Sequence, residues 1–117
     1  MATSRRVKRA EELIKRELGD IFNRELREHN FGFITVTKVK CSSDLKYAEF
    51  FVSIMEKDES IETKKFNRIK RRLSKIRGLL ASRIPNMKYV PYLKVTLDKG
   101  LDKIETIEKL LEKDSRR

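Results

Sequence analysis

The sequence predicts an α+β domain in which helices cover one face of a three-stranded sheet. Three observations carry this. Apolar residues recur at spacings of three and four over residues 5–28 and 61–84. Three short runs rich in β-branched and aromatic residues stand at 33–41, 47–55 and 89–97. Turn-forming residues, Ser42, Ser43 and Asp44, separate the first two runs. The chain has 117 residues, 38% of them hydrophobic, which suits one thin two-layer core.

The first helix is set by Val7, Ala10, Ile14, Leu18 and Ile21, with Phe22 widening the stripe. Ser4 is placed to cap it, and Glu12 and Arg16 stand at i, i+4 in the favourable order. The helix is expected to end near His29-Asn30, with Gly32 just beyond. The runs FITVTKVKC and YAEFFVSIM predict an antiparallel hairpin with Ala48, Phe50, Val52 and Ile54 on one face. A polar connection, Lys57 to Ser60, leads to the next helical region. There Phe66, Ile69, Leu73, Ile76, Leu80 and Ile84 form the apolar stripe, and Pro85 stops the helix. YVPYLKVTL reads as a third strand, with Pro91 at its start or on an edge. Leu101, Ile104, Ile107, Leu110 and Leu111 predict a short last helix over 101–112. The order is α-β-β-α(α)-β-α in a single domain over residues 1–112, with 113–117 a disordered charged tail.

The formal net charge is +11, and its location is more informative than its size. Residues 1–62 hold 12 basic and 12 acidic side chains, and residues 98–117 hold 6 of each. Residues 63–97 hold 11 basic side chains and no acidic one. The entire surplus therefore falls in one stretch, as a polyanion-binding surface requires. The bland alternative is a solvated basic helix with no partner.

Several classes of function are disfavoured. No apolar run approaches the roughly 20 residues that span a bilayer, and the basic N-terminus does not lead into a signal sequence. The lone Cys41 cannot form an internal disulfide and fits a reducing cytoplasm. One histidine, His29, and one cysteine do not make a zinc site of the usual kind. No base neighbours Cys41 in sequence, and His29 suits a helix C-terminus. The carboxylates sit among lysines and arginines as surface pairs, and no Gly-rich phosphate loop is present. No enzyme, cofactor, metal or small-molecule substrate is expected.

Taken together, RAEELIKREL at 9–18, GFITVTKV at 32–39, SSDLKYAEFFVS at 42–53 and YVPYLKVTLD at 89–98, followed by Leu101 and Ile107 to Leu111, resemble the ribosome-binding factor A family. The resemblance covers about residues 5–111. It implies a KH-type domain of the second topological kind and a non-enzymatic factor in late maturation of the small ribosomal subunit. It implies binding to the free 30S subunit near the 5′ end of 16S ribosomal RNA and the decoding region, and a role in growth in the cold. Glycine occurs only at 19, 32, 78 and 100, so the chain has no GxxG loop of the ordinary KH kind. The family has an Ala-x-Gly kink between its central helices instead. Counting back from Pro91 places it on Leu73-Ser74-Lys75, where only the middle residue matches. The kink is assigned to Ser74, the alternatives being a bend at Gly78 or a nearly straight helix. Two further departures are Glu28-His29-Asn30, where Asp-Pro-Arg is common, and Ile104 in place of a glycine.

The expected RNA contacts are Lys64, Lys65, Arg68, Lys70, Arg71, Arg72, Lys75 and Arg77, extended by Arg83 and Lys88. Arginine forks suit phosphate oxygens, and lysines supply mobile charge. Only some of them can face one ligand, because neighbours such as Arg71 and Arg72 point about 100° apart on a helix. Phe51 and Tyr92 are candidate base-stacking rings, although core or edge packing is the favoured reading for both, while Phe50 and Phe66 are assigned to the core. The partners implied are 16S ribosomal RNA and the small subunit, bound by a monomer in the cytoplasm. A general nucleic-acid module without ribosome specificity is the main alternative. An acidic protein partner or an anionic membrane surface ranks lower, because the apolar side of the basic helix is needed to cover the sheet.

Overall fold

The computed structural model describes residues 4–26 and 33–98. Helix α1 runs Arg5–Asp20, and Ser4 Oγ caps it by accepting from the Val7 amide at 3.2 Å. A π-helical turn, Ile21–Glu25, follows directly. Leu18, Phe22 and Leu26 are spaced by four, a pattern that drifts about 40° per step on an α-helix. The wider turn, closed by the Leu26 amide on Ile21 O at 3.0 Å, keeps Leu26 in the core. The predicted stripe is buried from Val7 to Phe22. Arg16 does not pair with Glu12; it lies 3.7 Å from Glu17 and is largely exposed, so this contact contributes little.

Strands β1 (Ile34–Cys41) and β2 (Tyr47–Ile54) form the expected antiparallel hairpin. A β-bulge between Val36 and Lys38 shifts the register. It swaps the parity of β1, so that Ile34 and Val36 face inward before it and Val39 after it, while Lys38 is exposed. Thr37 at the bulge donates to Asp98 Oδ2 at 2.7 Å. In the connecting turn Leu45 has φ 60, a left-handed conformation that costs an ordinary side chain roughly 1–2 kcal/mol. Leu45 is nonetheless 9% exposed, packed with Val7 and Ala10 in a small second cluster.

Asp58 caps helix α2 (Glu59–Arg71), accepting from the Ser60 amide at 2.8 Å. Arg72, with φ −100 and ψ 6, interrupts the helix, and α3 (Leu73–Arg83) follows. The break thus falls at Arg72 and not at Ser74, which is an exposed residue in the first turn of α3. Gly78 lies inside α3 without interrupting it. Ile69, Ile76 and Leu80 are fully buried across the break, each burial contributing about 1.5–3 kcal/mol. Phe66 is only half-buried, with Lys70 Nζ 5.8 Å from its ring centroid. The expected core place for Phe66 is corrected to a margin.

Pro91 is buried just before β3 (Tyr92–Leu97), so its missing donor falls outside the strand ladder. β3 pairs parallel with β2, giving the order β1-β2-β3, and the α2–α3 segment supplies the crossover. The main core joins Ile14, Leu18, Phe50, Val52, Ile69 and Val95, with Phe22 and Phe50 rings 6.2 Å apart. The predicted last helix over 101–112, the tail and His29 lie outside the described residues. Among the described residues no helix is long and apolar enough to cross a membrane.

Candidate nucleic-acid interface

The cationic stretch maps onto α2, the Arg72 break and α3. The two acids of α2, Glu59 and Glu62, sit in its first turn, where the helix dipole favours them. Arg68, Lys70 and Arg71 sit in its last turn, where the dipole favours cations. Burial of the apolar stripe on the sheet turns the opposite side of the segment outward. Lys64, Lys70, Arg71, Arg72 and Lys75 are all exposed, and Arg68 is half-buried. Lys64, Arg68 and Arg71 follow i, i+4, i+7, so they share one stripe of α2 spanning roughly 10 Å at 1.5 Å per residue.

Three other predicted contacts have different work. Arg83 is clamped by carboxylates of the first helical segment: its Nη1 lies 2.6 Å from Asp20 Oδ2 and 3.5 Å from Glu17 Oε2, and its Nη2 bonds Glu25 Oε1. These partners hold its pKa far above the ordinary arginine value. Its charge is spent on joining α3 to α1, which removes it from the ridge. Arg77 donates from Nη2 to Val90 O at 2.7 Å and from Nε to Pro91 O at 3.0 Å, and its guanidinium lies 4.5 Å from the Tyr92 ring centroid. It fastens the α3–β3 loop. Lys65 Nζ pairs with Glu56 Oε2 at 3.1 Å, which lowers the Glu56 pKa. None of the three pairings can be read from the sequence, because the partners are nine or more residues away or are main-chain carbonyls.

Lys88 stands on the α3–β3 loop, away from the α2 stripe in sequence. Its Nζ is 5.5 Å from the Tyr89 ring centroid, and it lines a groove with Arg6, Arg9 and Lys46. Sequence reasoning misses those three. Residues 1–62 sum to zero charge, and segment totals do not see which helix face a charge occupies. The i, i+3 spacing of Arg6 and Arg9, ahead of the acids at 11 and 12, is the available signal.

Of the candidate stacking rings, Tyr92 is 62% exposed and packs 5.9 Å from Tyr47, while Phe51 is half-buried under Lys38. Cys41 is half-buried and its thiol is pushed up to about 11, first by burial and then by the Glu11 carboxylate. That holds it as the unreactive thiol.

A βααβ core extended by an N-terminal helix and strand, with the described helices packed on one sheet face, defines a KH-like domain that departs from the ordinary kind in having no GxxG loop. The chain belongs to the ribosome-binding factor A family, whose sequence profile matches residues 6–111. Ribosome-binding factor A of Halothermothrix orenii is 34% identical over 108 residues, covering 92% of this chain and 87% of the relative. The crystal structure of ribosome-binding factor A from Thermus thermophilus superposes with a TM-score of 0.65 at 21% identity, over 78% of this chain and 94% of that one. A homology model of the Thermus thermophilus protein, fitted into the cryo-EM map of a 30S complex, matches at a TM-score of 0.59 and 21% identity, over 72% of this chain and 86% of that one.

Proposed function

We propose that this chain binds the free small ribosomal subunit and assists late maturation of 16S ribosomal RNA, with its greatest importance in the cold. The observation that carries the reading is the outward side of the segment from Lys64 through the Arg72 break to Lys75, a stretch without an acidic residue that presents Lys64, Lys70, Arg71, Arg72 and Lys75 to solvent. Family membership and the Thermus relative's 30S complex support the choice of partner. The ridge acts by neutralising phosphates on structured RNA, whose duplexes are read by shape, phosphate and 2′-hydroxyl contacts. Arg68 joins the same stripe. Lys88 contributes from the α3–β3 loop, while Lys65, Arg77 and Arg83 keep the ridge in place.

The test is sedimentation of the protein with isolated small subunits and with complete ribosomes. Association with the former and exclusion from the latter supports the reading. A folded Lys64→Glu/Arg71→Glu/Arg72→Glu variant should lose the association. Undiminished binding by that variant would sink the ridge, and equal affinity for ribosomal RNA, random RNA and DNA would favour a general nucleic-acid module.

A further inference from the structure

The groove that holds Lys88 is built unlike the ridge. Its volume is about 590 Å³, within the roughly 300–1,000 Å³ typical of small-molecule sites. Three separate segments make it: the first turns of α1, the β1–β2 turn, and the α3–β3 loop. The Tyr92 amide donates to Lys46 O at 2.8 Å, so the start of β3 is tied to the turn.

Its floor is apolar. Ala10 and Leu45 belong to the small second cluster, Met87 packs against it, and Leu13 packs on the main core. The left-handed Leu45 backbone puts a leucine side chain into that floor. One wall is Tyr89, 64% exposed. The rim carries four exposed cations, Arg6, Arg9, Lys46 and Lys88. The single carboxylate at the rim among the described residues, Asp44, is turned onto its own loop, accepting from Ser42 Oγ at 2.6 Å and the Lys46 amide at 3.0 Å.

We propose that this groove holds one unpaired RNA nucleotide, its base on the apolar floor beside Tyr89 and its flanking phosphates on the four cations. The proposal deepens the ribosomal RNA reading and rests on it. An aromatic wall over an apolar floor accepts a flat base of any sequence, and arginine and lysine at the rim track the backbone. A duplex buries its bases in the stack and cannot offer one. A free phosphate ion would leave the apolar floor empty. Residues 98–117 of this chain carry balanced charge, so they do not match a rim of four cations as a polyanion does.

The experiment titrates the full-length ¹⁵N-labelled chain with a short unstructured pyrimidine RNA. Amide shifts should appear at Arg9, Leu45, Lys46 and Tyr89, and a blunt RNA duplex should leave those amides still. Tyr89→Ala should weaken oligonucleotide binding about tenfold and Tyr89→Phe should restore it, because stacking needs the ring and not the hydroxyl. Arg6→Glu/Arg9→Glu/Lys46→Glu should abolish it. If that variant fails to fold, as its amide spectrum would show, Lys88→Glu/Tyr89→Ala on the loop gives the same readout. Shifts confined to α2, unchanged binding by the folded variants, or the same amides answering an acidic peptide and not the RNA would overturn the proposal. A chain that sediments with small subunits yet ignores the oligonucleotide keeps the subunit reading and loses this one. A chain that binds the oligonucleotide but not the subunit does the reverse.

Discussion

Arg83 at the end of α3 meets Asp20 at the end of α1 across 2.6 Å, and the two sit 63 residues apart in the chain. The side chain is only 20% exposed, and Glu17 and Glu25 complete the clamp. Removing Arg83 leaves Glu17, Asp20 and Glu25 without their shared cation in a partly desolvated site, where Arg24 stays 2.9 Å from Asp20. The expected result for Arg83→Met is a loss of about 2 kcal/mol in urea unfolding, below the range for a fully buried pair because water reaches the site. Small-subunit affinity of the folded variant should stay within about twofold, since that charge is already neutralised.

Salt dependence separates ridge cations from structural ones. For every phosphate that a variant no longer neutralises, the slope of log affinity against log salt concentration should fall by about 0.7–0.9. Lys64→Gln and Arg71→Gln should each show this fall, and Arg77→Gln should not. Arg77 gives its Nε and Nη2 donors to the main chain at 90 and 91. A full slope change on replacing Arg77 would return it to the interface.

The Asp58 cap makes α2 sensitive to acid. Its carboxylate accepts from the Ser60 hydroxyl, the Ser60 amide and the Ile61 amide, which hold its pKa below the ordinary 3.8. A folded-state pKa depressed in this way gives stability that is present above about pH 4 and is lost as pH falls through the folded value. Asp58→Asn keeps an acceptor but cannot ionise. Comparison of urea midpoints between about pH 6 and pH 2.5 should show a shallower acid decline for the variant. Parallel curves would mean the cap does not contribute.

Cys41 gives a chemical probe of the α1–β1 contact. Its thiol rises from 9.0 to about 11, through burial first and Glu11 second, while Glu11 Oε2 also accepts from the Cys41 amide at 2.8 Å. At about pH 8 the thiolate fraction should be roughly a hundredfold below that of the unfolded chain. Iodoacetamide labelling followed by mass spectrometry should therefore be slow in the native protein and fast in urea. Equal rates would place the thiol in solvent.

Most of the secondary structure was legible because local patterns demand it. Val7 to Ile21 and Ile69 to Ile84 repeat at helical spacing, and Ala48 to Ile54 alternate, so each names its buried face without knowledge of a partner. The bulge at Thr37 was not legible. Strict alternation would have turned Lys38 inward, and only pairing with β2 reveals the extra residue. The helix break was misplaced by two residues, since neither Arg72 nor Ser74 is a residue that forces one. The bias towards RNA lay in the sequence, in 35 consecutive residues without an acid.

Which cations are available to a ligand was a tertiary matter. A distant partner can divert a charge from a ligand, and sequence distance says nothing about that. The partners of Arg83 lie on another helix, those of Arg77 are carbonyls in a loop, and the groove of Arg6, Arg9, Lys46 and Lys88 joins segments that are neighbours only in space. The sequence by itself therefore determined the helices, the strands and the sign of the field. The folded chain decided its shape, because electrostatic fields add through space and not along the backbone.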